Sequence, residues 1–175
     1  MHAASLPSLM PIPVHSDSRG VFSKPLTASM GTELDFRITE LFWTTSSIGV
    51  VRGMHFQIPP VAVNKLVWVS QGSIIDVVVD VRAHAAFGTV AAFALDVGIP
   101  NALWIPAGFA HGFQALEDDT IVNYAVDAPY LPEFDTGIRW DSIEFDWPLP
   151  IGTISERDGQ LPTLAEFDSP FEVSP

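Results

Sequence analysis

A histidine and a lysine ten positions apart, His55 and Lys65, stand on either side of a loop marked by Pro59-Pro60. His55 lies in the segment Val51-Arg52-Gly53-Met54-His55-Phe56-Gln57. Histidine is the side chain that exchanges protons near neutrality, and lysine supplies a compact positive charge. A second histidine, His111, follows in Trp104-Ile105-Pro106-Ala107-Gly108-Phe109-Ala110-His111-Gly112-Phe113. These groups act together only if the fold gathers them. Together the two segments suggest an all-β barrel with one polar cluster inside.

The rest of the chain sets bounds on that cluster. Its 175 residues suit one domain spanning 1–175 and are enough to bury a full core. No apolar run reaches the roughly 18 residues of a membrane span, and Met1-His2-Ala3-Ala4-Ser5-Leu6-Pro7 lacks the charged start of a signal peptide. With no cysteine there is neither a disulfide framework nor a thiolate metal site. The expectation is a cytoplasmic protein without a membrane partner.

A formal net charge of −13 argues against a nucleic-acid partner, because a phosphate backbone demands a positive surface. A small anionic ligand needs only a few local cations. The chain has eight: Arg19, Lys24, Arg37, Arg52, Lys65, Arg82, Arg139 and Arg157. Either some of them converge on a ligand, or they are scattered as partners for Asp and Glu.

Short β-type runs separated by turn residues must position these groups. Lys65–Ser70, Ser73–Arg82, Thr89–Leu95, Ala102–Ile105 and Thr120–Val126 are rich in β-branched or alternating apolar residues. Only Leu161–Phe167 has the makings of a short helix or turn. Repeated strands with Gly and Pro punctuation imply a sandwich, jelly roll or small barrel. If Gln71-Gly72 closes a tight hairpin, Ser70 faces Ser73, Val67 faces Asp76 and Lys65 faces Val78. Lys65, Val67, Asp76, Val78 and Asp80 then share a face that is either solvent or the lining of a polar cavity. A second hairpin, through Glu117-Asp118-Asp119, would bring His111 near Tyr124.

Pro106-x-Gly108-x-x-His111 resembles the second motif of the cupin superfamily. Metal-binding cupins supply His-x-His in the first motif, where this chain has His55-Phe56-Gln57. A three-histidine metal site cannot be assembled, and the expectation is no metal and no cofactor. His2, His15 and His84 read as surface residues.

Five blocks in order resemble the dTDP-4-dehydrorhamnose 3,5-epimerase family, the cupin-fold nucleotide-sugar epimerases. They are Asp17-x-Arg19-Gly20-x-Phe22; Arg52-Gly53-Met54-His55-Phe56-Gln57; Lys65-Leu66-Val67 with Gly72-x-x-x-Asp76-Val77-x-Val79-Asp80; Phe87-Gly88; and Trp104 to Phe113. Gly137-Ile138-x-Trp140, Asp146-Trp147-Pro148 and Ile154-Ser155-Glu156-Arg157-Asp158 follow.

The resemblance implies a cupin-type jelly-roll barrel with a short C-terminal helical segment. It implies that His55 is the base, Asp158 its orienting partner, Tyr124 the acid on the opposite face and Lys65 the stabiliser of developing negative charge. Arg19 and Arg52 would hold a nucleotide-diphosphate sugar, with Phe22 on its base across a subunit boundary of a homodimer. Gln57, His111, Tyr130, Asp135 and Arg157 would complete substrate binding.

The implied reaction is cofactor-independent epimerisation at C3, C5 or both of a 4-keto-6-deoxy sugar. The carbonyl acidifies those hydrogens, and removal of one gives an enolate. Alternatives are a nucleotide-sugar ketoisomerase, a non-catalytic sugar-binding cupin and a metal-dependent cupin oxygenase. Departures from the family's pattern concern ligand recognition. Glu40-Leu41-Phe42 stands where a Gln-x-Asn pair is usual, Lys24 where Glu is usual, Pro129 where an aromatic is frequent, and Asp135 where Glu follows the tyrosine.

Overall fold

The computed structural model describes residues 6–171. Two five-stranded antiparallel sheets pack face to face. The first has the order β1 (Ser8–Pro11), β9 (Asn101–Ile105), β6 (Lys65–Gln71), β11 (Thr120–Val126), β4 (Glu40–Ser46). The second has β12 (Asp135–Gly137), β5 (Val51–Gln57), β10 (Phe109–Ala115), β7 (Ser73–Asp80), β8 (Val90–Asp96). Strands β2 (Val14–Asp17) and β3 (Gly20–Ser23) form a separate hairpin. The two sheets remain distinct ladders, so the expected barrel takes the form of a jelly-roll-like sandwich.

Neither expected hairpin forms. β6 and β7 belong to opposite sheets, as do β10 and β11. At Gly72, with φ of +76°, the chain crosses the sandwich instead of folding back within one sheet. A Cβ there would lie 2.4 Å from the Thr120 hydroxyl, so the crossing is closed to larger residues. The partners nevertheless share the interior, because inward-facing residues of both sheets meet between them. His111 and Tyr124 rings approach to 6.0 Å at 71°, across the sandwich rather than along a ladder.

The central strands of each sheet are covered on both faces. Val67, Val69, Ile74, Val78, Leu103, Phe113 and Val122 fill the space between them. Leu66, Ala102, Trp104 and Ala125 pack outward beneath Met30 and Phe36, around helix α1 (Ala28–Glu33). Met54, Phe56, Val77 and Val79 pack beneath Ile138, Ile143 and Phe171 from the C-terminal segment. Each such fully buried Val, Leu or Phe contributes about 1.5–3 kcal/mol. The solvent reading of the Lys65–Asp76 face is thereby excluded: Val67, Asp76, Val78 and Asp80 are buried. That face turns to the interior between the sheets, where Val67 and Val78 pack in the core and Lys65 borders a cavity.

Helical content lies at the periphery. Thr27 caps α1 by accepting a hydrogen bond from Met30 N–H. The C-terminal segment carries α2 (Glu156–Gly159) and a single 3-10 turn at Leu164–Glu166, inside the stretch expected to be helical. Of the histidines read as surface residues, His15 is exposed and His2 lies outside the described residues. His84 differs: its Nε2 lies 3.4 Å from Asp80, which also grips Arg82 at the end of β7. No helix among the described residues is long and apolar enough to cross a membrane.

Candidate active site

Strand β5 supplies the first two side chains of a cavity of about 570 Å³, within the range of small-molecule sites. Arg52 and His55 both line it, although three positions apart they would face opposite ways on a regular strand. The ladder with β10 explains this: His111 pairs with His55 but Phe113 pairs with Arg52, so β5 carries one extra residue in a bulge. Gly53 makes the bulge possible. Its φ is +132°, and an added Cβ would lie 2.5 Å from Gly112 Cα.

His55 Nε2 lies 2.7 Å from Asp158 Oδ1, and the other carboxylate oxygen accepts the Gly53 N–H at 3.1 Å. Asp158 is held by α2, where the Ser155 side chain caps the helix by accepting the Asp158 N–H. Burial works against charge on Asp158, but the hydrogen bond and charge of His55 and the Gly53 N–H outweigh it, so its pKa lies below the ordinary value. An ionised Asp158 fixes the proton on Nε2 and leaves the lone pair on Nδ1, the tautomer of an oriented base.

Lys65, on the opposite sheet, donates from Nζ to the His55 carbonyl at 2.9 Å. Burial lowers its pKa to about 8, against the raising influence of Asp135 and Asp76. Tyr124 is buried, and burial, reinforced by Asp76, pushes its pKa well above the ordinary value. It therefore remains a protonated phenol throughout the neutral range. The Thr44 hydroxyl makes no hydrogen bond of good geometry, yet it stands close enough to the phenol to oppose part of that rise.

Behind Lys65 and Tyr124 lies a second pair. His111 Nε2 is 2.8 Å from Asp76 Oδ2, and both residues are buried. Burial drives His111 down and Asp76 up, each toward its neutral form. The other Asp76 oxygen, Oδ1, is buried without a hydrogen-bond partner.

Three of the eight cations, Arg52, Lys65 and Arg157, converge on the cavity. Arg19, Arg82 and Arg139 instead pair with carboxylates two residues away. Of the expected binding residues, His111, Tyr130, Asp135 and Arg157 line the cavity. Arg157 is tied to Asp135, and Tyr130 stands 55% exposed at the rim. Gln57 also borders it, but its amide is committed to loops, donating to Val61 and Pro129 carbonyls and accepting Leu131 N–H.

Arg19 and Phe22 do not line their own chain's cavity; both sit on the exposed β2–β3 hairpin. Residues 40, 42 and 44 do line it, and of these Thr44 was not foreseen. The signal was the alternation of Glu40, Phe42 and Thr44 on one strand. No group of three His, Cys, Asp or Glu among the described residues has the geometry to hold a metal ion.

A jelly roll that brings a carboxylate-paired histidine, an ammonium and an un-ionised phenol to one cavity has the groups of a proton-transfer isomerase of the cupin type. The family model described as dTDP-4-dehydrorhamnose 3,5-epimerase matches residues 7–166, and the chain belongs to that family. It is 42% identical over 132 residues to the dTDP-4-dehydrorhamnose 3,5-epimerase of Sinorhizobium fredii, covering 73% of this chain and 68% of that one. The crystal structure of the Sulfolobus tokodaii dTDP-4-dehydrorhamnose 3,5-epimerase superimposes with a TM-score of 0.87 at 36% identity, covering 93% of each chain. A Legionella pneumophila dTDP-6-deoxy-D-glucose-3,5-epimerase, solved with dTDP-4-keto-L-rhamnose, also gives 0.87, at 30% identity over 93% of this chain and 89% of that one.

Proposed function

We propose that this protein epimerises C3, C5 or both of a dTDP-linked 4-keto-6-deoxy sugar through an enolate, with no cofactor taking part. The observation that carries the reading is the convergence of the His55–Asp158 pair, Lys65 and Tyr124 on one cavity. His55 Nδ1 removes the hydrogen beside the ketone, and Asp158 steadies the resulting imidazolium. Electrons of the broken C–H bond move to the ketone oxygen, where the Lys65 ammonium offsets the charge. The Tyr124 phenol returns a proton from the opposite face, which inverts the carbon. Arg52 and Arg157 attract the diphosphate.

The reading is tested by deuterium incorporation in heavy water with dTDP-4-keto-6-deoxyglucose, followed by NMR at C3 and C5. Exchange with inversion at both carbons supports a 3,5-epimerase, and at one carbon a mono-epimerase. Exchange accompanied by movement of the carbonyl identifies a ketoisomerase. No exchange with this or other nucleotide sugars overturns the enzyme reading in favour of a binding protein.

Lys65 makes the rate pH-dependent. With its pKa lowered to about 8, it is charged below that pH and neutral above it. The turnover number therefore falls as pH rises through about 8, by at most about tenfold per pH unit. In Lys65→Arg the guanidinium stays charged, and the alkaline limb moves above about pH 10. An alkaline limb unchanged in that variant assigns the titration to another group.

The same reading includes a cytoplasmic homodimer. The β2–β3 hairpin stands outside both sheets, with Val21 and Phe22 exposed, and the outer face of edge strand β4 exposes Leu41 and Trp43. Apolar edges of this kind call for cover. In this reading a second copy supplies it, and the hairpin carries Arg19 and Phe22 to the partner's cavity. Light scattering should give twice the chain mass, and a monomer removes Arg19 and Phe22 from the binding set.

A further inference from the structure

We infer that Phe42 is a positioning residue for the Tyr124 phenol and thereby sets how often the enolate is protonated on the far face. The inference rests on the proton-donor role proposed for Tyr124. Phe42 lies directly across the β4–β11 ladder from Tyr124. Their rings are 4.8 Å apart and nearly parallel, at 14°. His111 meets the same phenol edge-on at 6.0 Å. The donor ring is thus clamped between a face and an edge, both common arrangements of aromatic pairs.

Phe42 is not a core residue that merely happens to touch a tyrosine. It is 43% exposed, whereas Tyr124 is 7% exposed. Two positions away on the same strand, Glu40 commits its Oε1 to Tyr130 N–H at 3.0 Å. The buried Thr44 hydroxyl stands by the phenol without a well-formed bond. The inward face of β4 is therefore a wall with a committed carboxylate at one end and a spare hydroxyl at the other. The ring between them offers the ligand no hydrogen bond and holds Tyr124 in place.

Two fates of the enolate follow. A proton from Tyr124 O–H forms the new C–H bond on the far face, inverts the carbon and leaves a phenolate that solvent reprotonates. A proton from the His55 imidazolium re-forms the C–H bond on the original face and restores neutral histidine. In heavy water the imidazolium exchanges its proton for a deuteron. The second fate then appears as deuterium in sugar of unchanged configuration.

The experiment measures the ratio of labelled, uninverted sugar to inverted product for wild type, Phe42→Ala, Phe42→Leu and Phe42→Tyr. In Phe42→Ala inversion should slow about tenfold, with KM changed less than about threefold and the ratio raised about tenfold. Phe42→Tyr, which restores the stacked ring, should return the ratio to within about twofold of wild type. Phe42→Leu keeps apolar bulk without the ring and serves in place of Phe42→Ala should that variant melt early; its ratio should also rise. If inversion and labelling fall together at a constant ratio, Phe42 serves only packing or binding, and the inference is overturned. Absence of both reactions in the wild type removes the reading of Tyr124 on which it depends.

Discussion

His55→Ala abolishes turnover, with kcat reduced by more than about 10³-fold, at the upper end of what a positioned general base supplies. The fold survives, because His55 is 30% exposed in its side chain and belongs to none of the hydrophobic clusters. Asp158 keeps the Gly53 N–H and its place in α2. Deuterium wash-in disappears together with inversion, since both begin with the same proton removal. The thermal midpoint and the turnover number, measured on one preparation, separate lost chemistry from lost structure. A variant that keeps a near-normal rate shows that another group removes the proton, and the mechanism proposed here is then wrong.

Tyr124→Phe should divide the reaction in two. Inversion falls about 10²- to 10³-fold, because a positioned acid contributes on that scale. Exchange persists, because His55, Asp158 and Lys65 are untouched. Phenylalanine keeps the stack on Phe42 and the edge contact of His111 and deletes only the hydroxyl. The ring environment is thus a built-in control for packing. NMR of the sugar in heavy water should show labelled starting material with little product. Equal loss of exchange and inversion would place Tyr124 in binding or in enolate stabilisation instead.

The two variants act on opposite sheets. His55 stands on β5 of the second sheet, while Tyr124 on β11 and Lys65 on β6 belong to the first. A jelly roll brings such groups together because the chain passes repeatedly from one sheet to the other. Inward-facing residues distant in sequence then meet across a gap about 10 Å deep. The long-range pair His55–Asp158 shows the same principle: 103 residues separate its members, and α2 closes the distance.

Much of this was legible beforehand. The β-branched runs announced strands, since those side chains suit a pleated, half-buried surface. The motif around His55, the cation at Lys65 and the motif ending at His111 named the family and the groups lining its cavity. Sharing a face was also correctly read for Lys65, Val67, Asp76 and Val78, because alternation within a strand is local geometry. The hairpins behind that reading were wrong. A two-residue turn signal such as Gln71-Gly72 fixes where the chain bends. It does not say whether the next strand pairs alongside or crosses to the other sheet, because that depends on what each face can bury.

Other features were decided only in three dimensions. The bulge that turns Arg52 and His55 to one side depends on the close approach of Gly53 to Gly112, a contact between strands. Phe42 looked like a lost amide in the sequence and became a ring stacked on Tyr124 through its ladder partner. Gln57 borders the cavity as expected of a ligand contact, and only the structure shows that its amide also clasps the loops around Tyr130. The sequence by itself determined which chemical groups are present and the period of the strands that carry them, because residue type and backbone alternation are local. The tertiary structure decided which of those groups share a cavity and which protons they hold, because burial, register and charge proximity arise only when the two sheets close.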